Sequence, residues 1–229
     1  MLIASRFCGP PDSANGGYCA GLLASSLGGA VEVTLRHPPP LEQPLSLHIE
    51  SDRAELCHDA QLVAEARRVQ LDLEVPAPPS FARAAELSRH YVGHRKHHFP
   101  GCFVCGPARA VGDGMRIFPG AEHAGQLVAA PFCPHPSLSH TDGVLGSEYV
   151  WAALDCVGYF ASACPDYPIA LLGRITAEVV DSVRVEEPCV VIGWPLGREG
   201  RKLHAGTAVF GADGRLCGRA RQTWITMAK

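Results

Sequence analysis

The sequence predicts an α+β protein in which one unit, a buried helix followed by antiparallel strands, occurs twice. Three observations carry that reading. Residues 16–27 and 147–163 are apolar almost all round, and a helix without a polar face must be wrapped on every side. Each of these segments is followed by a series of strand-like segments bounded by turn residues. The same order of elements then recurs along the 229 residues, the mark of an internal duplication. Hydrophobic residues make up 47% and charged residues 19%, which excludes a disordered chain.

Each element has a local cause. Asn15 is a good N-cap for the first helix, and Gly28-Gly29 a good stop. Ser147 or Asp142 would cap the second, and Pro165 would end it. Strands are expected at 30–36, 45–50 and 61–75 after the first helix, and at 175–185, 189–195, 202–210 and 216–226 after the second. Asp213-Gly214 supplies a hairpin turn between the last two. Further strands, at 2–7, 115–118 and 126–131, precede the helices. The expected organisation is an N-terminal half at 1–76, a linker at 77–112 and a C-terminal half at 113–229. The linker carries Pro78 and Pro79, four histidines (His90, His94, His97, His98), the pair Cys102 and Cys105, and a short helix near 81–91.

Composition narrows the function. A net charge of -3 argues against a general nucleic-acid binder. The longest charge-free run, between Asp12 and Glu32, has an apolar part too short to span a bilayer. Residues 1–6 lack the basic and apolar regions of a signal peptide, so a soluble, cytoplasmic protein with ten reduced cysteines is expected.

Asp155 is the residue most in need of explanation. It is the only charged side chain between Tyr149 and Ala163. A carboxylate in an apolar helix is costly unless paired or used, and burial raises its pKa. Gly16 and Gly17 open the first helix, where free backbone N–H groups can hold an oxyanion and a ligand can approach closely. His140 offers acid/base chemistry just before the second helix, beside Asp142. Arg198, Arg201 and Lys202 gather around one hairpin and would suit phosphates. Cys102-Phe-Val-Cys105-Gly106 is similar to a zinc knuckle, with His97 or His98 as a third ligand. A closed site needs four ligands, so the pair is read as ordinary thiols beside a turn, and neither metal nor cofactor is expected. Walker-type, dinucleotide, HExxH and GxSxG motifs are absent.

The second half resembles hotdog-fold acyl-CoA thioesterases. Gly143-Val-Leu-Gly146 followed by Glu148 to Asp155 is similar to that family's glycine-rich lead into its central helix, with an acid two turns on. The turn Gly200-Arg-Lys-Leu203 between two strands is also similar, and Asn15-Gly16-Gly17 resembles the family's helix start. The resemblance implies two tandem hotdog domains in one chain, each a long central helix wrapped by a curved antiparallel sheet. Seven positions after Gly17 stands Ala24; seven after Glu148 stands Asp155. The first copy thus keeps the amides and the second the carboxylate. That implies one composite site: Gly17 N–H polarises a thioester carbonyl, Asn15 orients it or a water, and Asp155 is general base or nucleophile. Gly16, His140, Asp142, Arg198, Arg201 and Lys202 would bind substrate, an acyl-CoA or other pantetheine thioester, and two chains would form a homodimer. The alternatives are a hotdog hydratase or dehydratase using His140 with Asp142 or Asp155, and a non-catalytic acyl-binding module.

Overall fold

The structure, a computed structural model, describes residues 1–122 and 126–227, with His140 and Thr141 described by their backbone alone. Helix α1 (Gly16–Ala24) is followed by β1 (Val31–Leu35), β2 (Ser46–Glu50), β3 (Arg53–His58) and β4 (Gln61–Arg68). A short helix α2 (Phe81–Ser88) precedes β5 (Gly120–Glu122) and β6 (Leu127–Phe132). The two-stranded ribbon β7 (Ser139–Thr141) and β8 (Val144–Leu145) leads into α3 (Ser147–Ser162). Four long strands close the chain: β9 (Ala170–Val179), β10 (Cys189–Glu199), β11 (Lys202–Phe210) and β12 (Leu216–Thr226).

Ten strands form one sheet in the order β2-β3-β4-β1-β9-β12-β11-β10-β6-β5. Its seam is the antiparallel pair β1–β9, where Val33 faces Ile175, both fully buried. The sheet is continuous from the strands that follow α1 to those that follow α3. Both long helices pack against it and against each other, in one hydrophobic core. Side chains of a strand alternate between faces, so β10 serves two cores. Val191 belongs to the main core, whereas Val190 and Ile192 join Ala84 and Leu87 of α2 in a smaller cluster.

The two long helices cross with their backbones nearly touching. A Cβ on Gly17 would stand 2.6 Å from the Trp151 carbonyl oxygen and 2.5 Å from Asp155 Cβ. One turn on, a Cβ on Gly21 would stand 2.5 Å from Glu148 Cα. Glycine is required at both positions by this approach, and overpacking of such a contact typically costs about 1–3 kcal/mol.

Helix α1 starts where expected, with Asn15 Oδ1 accepting from Tyr18 N at 2.9 Å. It ends at Ala24, before the left-handed Gly28 and Gly29 (φ 67° and 71°). Helix α3 is capped by neither Ser147 nor Asp142. Its N-cap is Gly146, without a side-chain cap. The expected strand at 2–7 is instead a single 3-10 turn at Ser5–Phe7, because Ser5 gives its amide to the Glu42 carboxylate and Phe7 turns back onto Ala4. Residues 115–118 form no strand, but the amides of Met115 and Ile117 bond to Phe103 and Val104 carbonyls at 2.8 and 2.9 Å. Strand β3, unexpected from sequence, shows Ala54 and Leu56 buried between exposed Arg53 and Glu55. Residues 69–75 continue past β4 without pairing as a strand, and β9 starts and ends earlier than the expected 175–185. The segment 77–112 is not a tether: Tyr91, Cys102, Phe103, Val104 and Cys105 are all buried in the main core.

Candidate active site

Asp155 lies on α3 opposite the start of α1 and is 1% exposed. Its Oδ2 accepts two hydrogen bonds, from Asn15 Nδ2 at 2.7 Å and from Gly17 N at 3.0 Å. Asn15 therefore works at both ends of its amide, capping α1 with its oxygen and holding the carboxyl with its nitrogen. Asp155 Oδ1 is buried and accepts no hydrogen bond from any described residue. Burial pushes the carboxyl up to about 7; the bond from Gly17 pulls it down, the Cys102 sulfur adds to the rise, and Asn15 lowers it again. Buried acids shifted this way are enriched at functional sites.

This carboxyl lies in the wall of a cavity of about 510 Å³ bounded by Asn15, Gly16, Leu172, Tyr159, Phe160 and Trp224, among others. Most of the lining is aliphatic or aromatic, and the polar groups are few, as in small-molecule sites generally. The segment 91–106 closes one side. Lys96, His97, His98, Cys102 and Cys105 all reach the cavity, and Arg36 and His37 reach it from the end of β1. His98 Nε2 is tied to the Tyr167 carbonyl at 2.9 Å, and Arg36 pairs with Glu65. Burial holds His97 below its ordinary value.

Three thiols meet beside Asp155. Cys102 and Cys105 come from the segment before β5, Cys156 from α3, and their sulfurs all lie within 4.8 Å of one another. Sharing of S–H donors from Cys105 and Cys156 holds Cys102 well below the usual thiol range. Cys105 is pushed up by burial first and its tie to Cys102 second, and Cys156 by its ties to Cys102 and Cys105.

The structure brings Asn15, Gly16, Gly17 and Asp155 together. The Gly17 N–H, however, is given to Asp155 rather than left free for a substrate oxygen. Gly16 N–H, in the same first turn, has no acceptor within the helix. Arg198, Arg201 and Lys202 do not join the site. They lie exposed on the β10–β11 hairpin, and they are not among the cavity's lining residues. Asp142 is also exposed and away from the cavity, in a turn with φ 54°. The His140 side chain lies outside the described residues. Sequence reasoning missed Lys96, Arg36 and Cys156 as cavity residues; the density of histidine and cysteine in 90–105 was a signal for Lys96 alone.

The continuous antiparallel sheet wrapped around central helices is the hotdog fold. Solved structures similar along almost the whole chain share it. A protein with hot dog fold from Alicyclobacillus acidocaldarius matches with TM-score 0.61 at 13% identity, over 99% of this chain and 92% of that one. The tesB protein of Mycobacterium avium subs paratuberculosis matches with TM-score 0.64 at 15% identity, over 96% and 89%. The acyl-CoA thioesterase II TesB2 of Mycobacterium marinum matches with TM-score 0.63 at 10% identity, over 100% and 92%. No protein-family model matches the sequence. No curated protein matches it either. Among the described residues no helix is long and apolar enough to cross a membrane.

Proposed function

We propose that this protein hydrolyses a thioester of coenzyme A or a related pantetheine carrier, in the cytoplasm, at one composite site between two tandem hotdog halves. The observation that supports it is the buried Asp155, with one oxygen anchored by Asn15 and Gly17 and the other accepting from no described residue. Anchoring fixes the carboxyl's orientation, and burial brings its pKa near neutrality, where a general base is most effective.

In this reading a water hydrogen-bonds to Oδ1 and attacks the thioester carbonyl carbon while its proton passes to Asp155. The carbonyl oxygen becomes an oxyanion beside the Gly16 N–H and the positive end of α1. Collapse of the intermediate breaks the carbon–sulfur bond. The thiolate takes the proton back, leaving a carboxylic acid and a free thiol. The apolar cavity takes the acyl chain. Arg36 and Lys96 give its wall cationic character suited to the carrier's phosphates, a role the sequence had suggested for Arg198, Arg201 and Lys202. One of the solved structures with this fold is named an acyl-CoA thioesterase II, and two chains would pair further as a homodimer.

The test is thiol release from a panel of acyl-CoAs and acyl-pantetheines, with wild type beside Asp155→Asn. Release by the wild type that collapses in a folded Asp155→Asn variant supports the reading. Undiminished turnover in that variant, or no release from any thioester, overturns it.

A further inference from the structure

The structure assigns Cys102, Cys105 and Cys156 to a site for a thiophilic divalent metal, zinc by preference, with three protein thiolates and a fourth position open to the cavity. This inference is independent of the thioester reading.

The sulfurs have the spacing that coordination requires. Zinc–sulfur bonds of about 2.3 Å in a tetrahedron separate neighbouring sulfurs by roughly 3.8 Å. Cys102 Sγ and Cys156 Sγ stand 3.7 Å apart, and the third sulfur is within 4.8 Å of both. The three residues are 3%, 4% and 6% exposed, so the ion would be largely sheltered from bulk solvent.

The loop is shaped for the purpose. Gly106 N bonds to the Cys102 carbonyl at 2.9 Å. A Cβ on Gly106 would come within 2.4 Å of that oxygen and 2.5 Å of Pro100 O, so only glycine lets the loop close this tightly.

The surroundings offer donors to sulfur. Asn15 Nδ2 is 3.8 Å from Cys156 Sγ. His97 Nε2 is 3.4 Å from Cys105 Sγ. His97 Nδ1 accepts from Phe99 N at 3.0 Å, which puts the ring proton on Nε2. His97 is therefore a donor to the Cys105 sulfur and not the fourth ligand, a supporting contact of the kind that commonly orients metal ligands. Two of the three clustered sulfurs thus have a nitrogen donor beside them, and three sulfurs at this spacing can close around one cation. Binding would release the thiol protons to solvent, giving a site of net charge -1 for a divalent ion.

Sequence alone shows one CxxC and no second pair. The fold supplies the third thiol from α3, 51 residues beyond Cys105.

The test is titration of the full chain, stripped of metal and kept reduced by a phosphine under nitrogen, with Co²⁺ and then Zn²⁺. The expected result is one equivalent of Co²⁺ bound, with near-ultraviolet sulfur-to-cobalt absorption and the intense visible bands of a tetrahedral ion, bleached by Zn²⁺. Cys102→Ser, Cys105→Ser and Cys156→Ser should each weaken binding at least about tenfold, while Cys133→Ser should not. The visible bands should persist in His97→Gln and shift when 2-mercaptoethanol is added. X-ray absorption of the zinc-loaded wild type, which needs no variant to fold, should show three sulfur scatterers near 2.3 Å. Failure of the reduced, folded wild type to bind either ion overturns the site, as does a sulfur count below three. Loss of the tetrahedral bands in a folded His97→Gln overturns the open fourth position.

Discussion

The two helix starts meet the opposite helix in matching ways, and the start of α1 lies in the wall of a large cavity. At the start of α1, Gly17 touches Asp155 and the carboxyl lies in the cavity wall. At the start of α3, Glu148 touches Gly21, and the neighbouring space holds aromatic rings. Phe7 stacks on Tyr18 at 4.2 Å, and Tyr149 and Phe103 pack edge or tilted against them. The difference teaches that backbone approach alone does not make a site. What distinguishes the first end is a carboxyl held by two nitrogen donors at the wall of a cavity. The second end spends the same geometry on packing.

The largest expected effect tests that contrast directly. Asp155→Asn keeps an acceptor for Asn15 and Gly17 but removes the base, and thiol release should fall by about 10²–10⁴-fold, the usual weight of a general base. In wild type, kcat/KM should climb with pH through a step near 7, the value to which burial lifts this carboxyl.

Stability should show the other side of the same burial. A carboxyl raised from its ordinary value to about 7 is protonated in the native state over a window where the unfolded chain has already ionised. Stability is therefore fully present below about pH 4 and is lost as pH rises through 7. A shift of this size corresponds to on the order of 4 kcal/mol. Chemical denaturation at pH 5 and pH 8 should reveal a decline that Asp155→Asn removes; equal slopes in both proteins would show that the carboxyl titrates normally.

Gly17→Ala should lower stability by about 1–3 kcal/mol, because its methyl meets backbone and not a flexible side-chain end. Activity should fall with it, since Asp155 is the group displaced. Gly16→Ala, whose methyl meets only the side chains of Leu35 and Leu172, is the matched control for stability.

Asn15→Ala should cost about 1 kcal/mol as a lost helix cap. It also removes a hydrogen bond that lowers the Asp155 pKa, so the rise of kcat/KM should move to higher pH. A profile that stays in place would separate Asn15's structural duty from its hold on the carboxyl.

The smallest change belongs to neither helix start. Replacing Arg198, Arg201 and Lys202 together by Ala should leave KM for an acyl-CoA within about twofold, as for exposed positions away from any site. A tenfold rise would place the carrier's phosphates on that hairpin instead of near Lys96 and Arg36.

Sequence reading found the two long helices because each lacks a polar face, and it found Asp155 because a lone acid in such a helix stands out. Asn15 and Gly17 were legible as a cap followed by a glycine pair. The inward pair of β3 was harder to see, because Ala54 and Leu56 alternate with charges and look like surface. The cavity's other wall was illegible for a different reason. Whether residues 91–106 hang free or lie across α3 depends on contacts with side chains distant in sequence, such as Tyr91 against Phe160 at 4.8 Å. No local periodicity encodes that path. The same holds for Cys156, whose partners lie 51 and 54 residues earlier.

The seam between β1 and β9 has a consequence for behaviour on dilution. Where two separate chains must meet to bring a helix start to a carboxyl, their encounter depends on concentration. Here Asn15 and Asp155 are linked by 139 intervening residues, and the sheet runs unbroken between the segments that carry them. Their effective concentration is set by the fold and not by the solution. Specific activity should thus stay constant down to the lowest protein concentration that can be assayed.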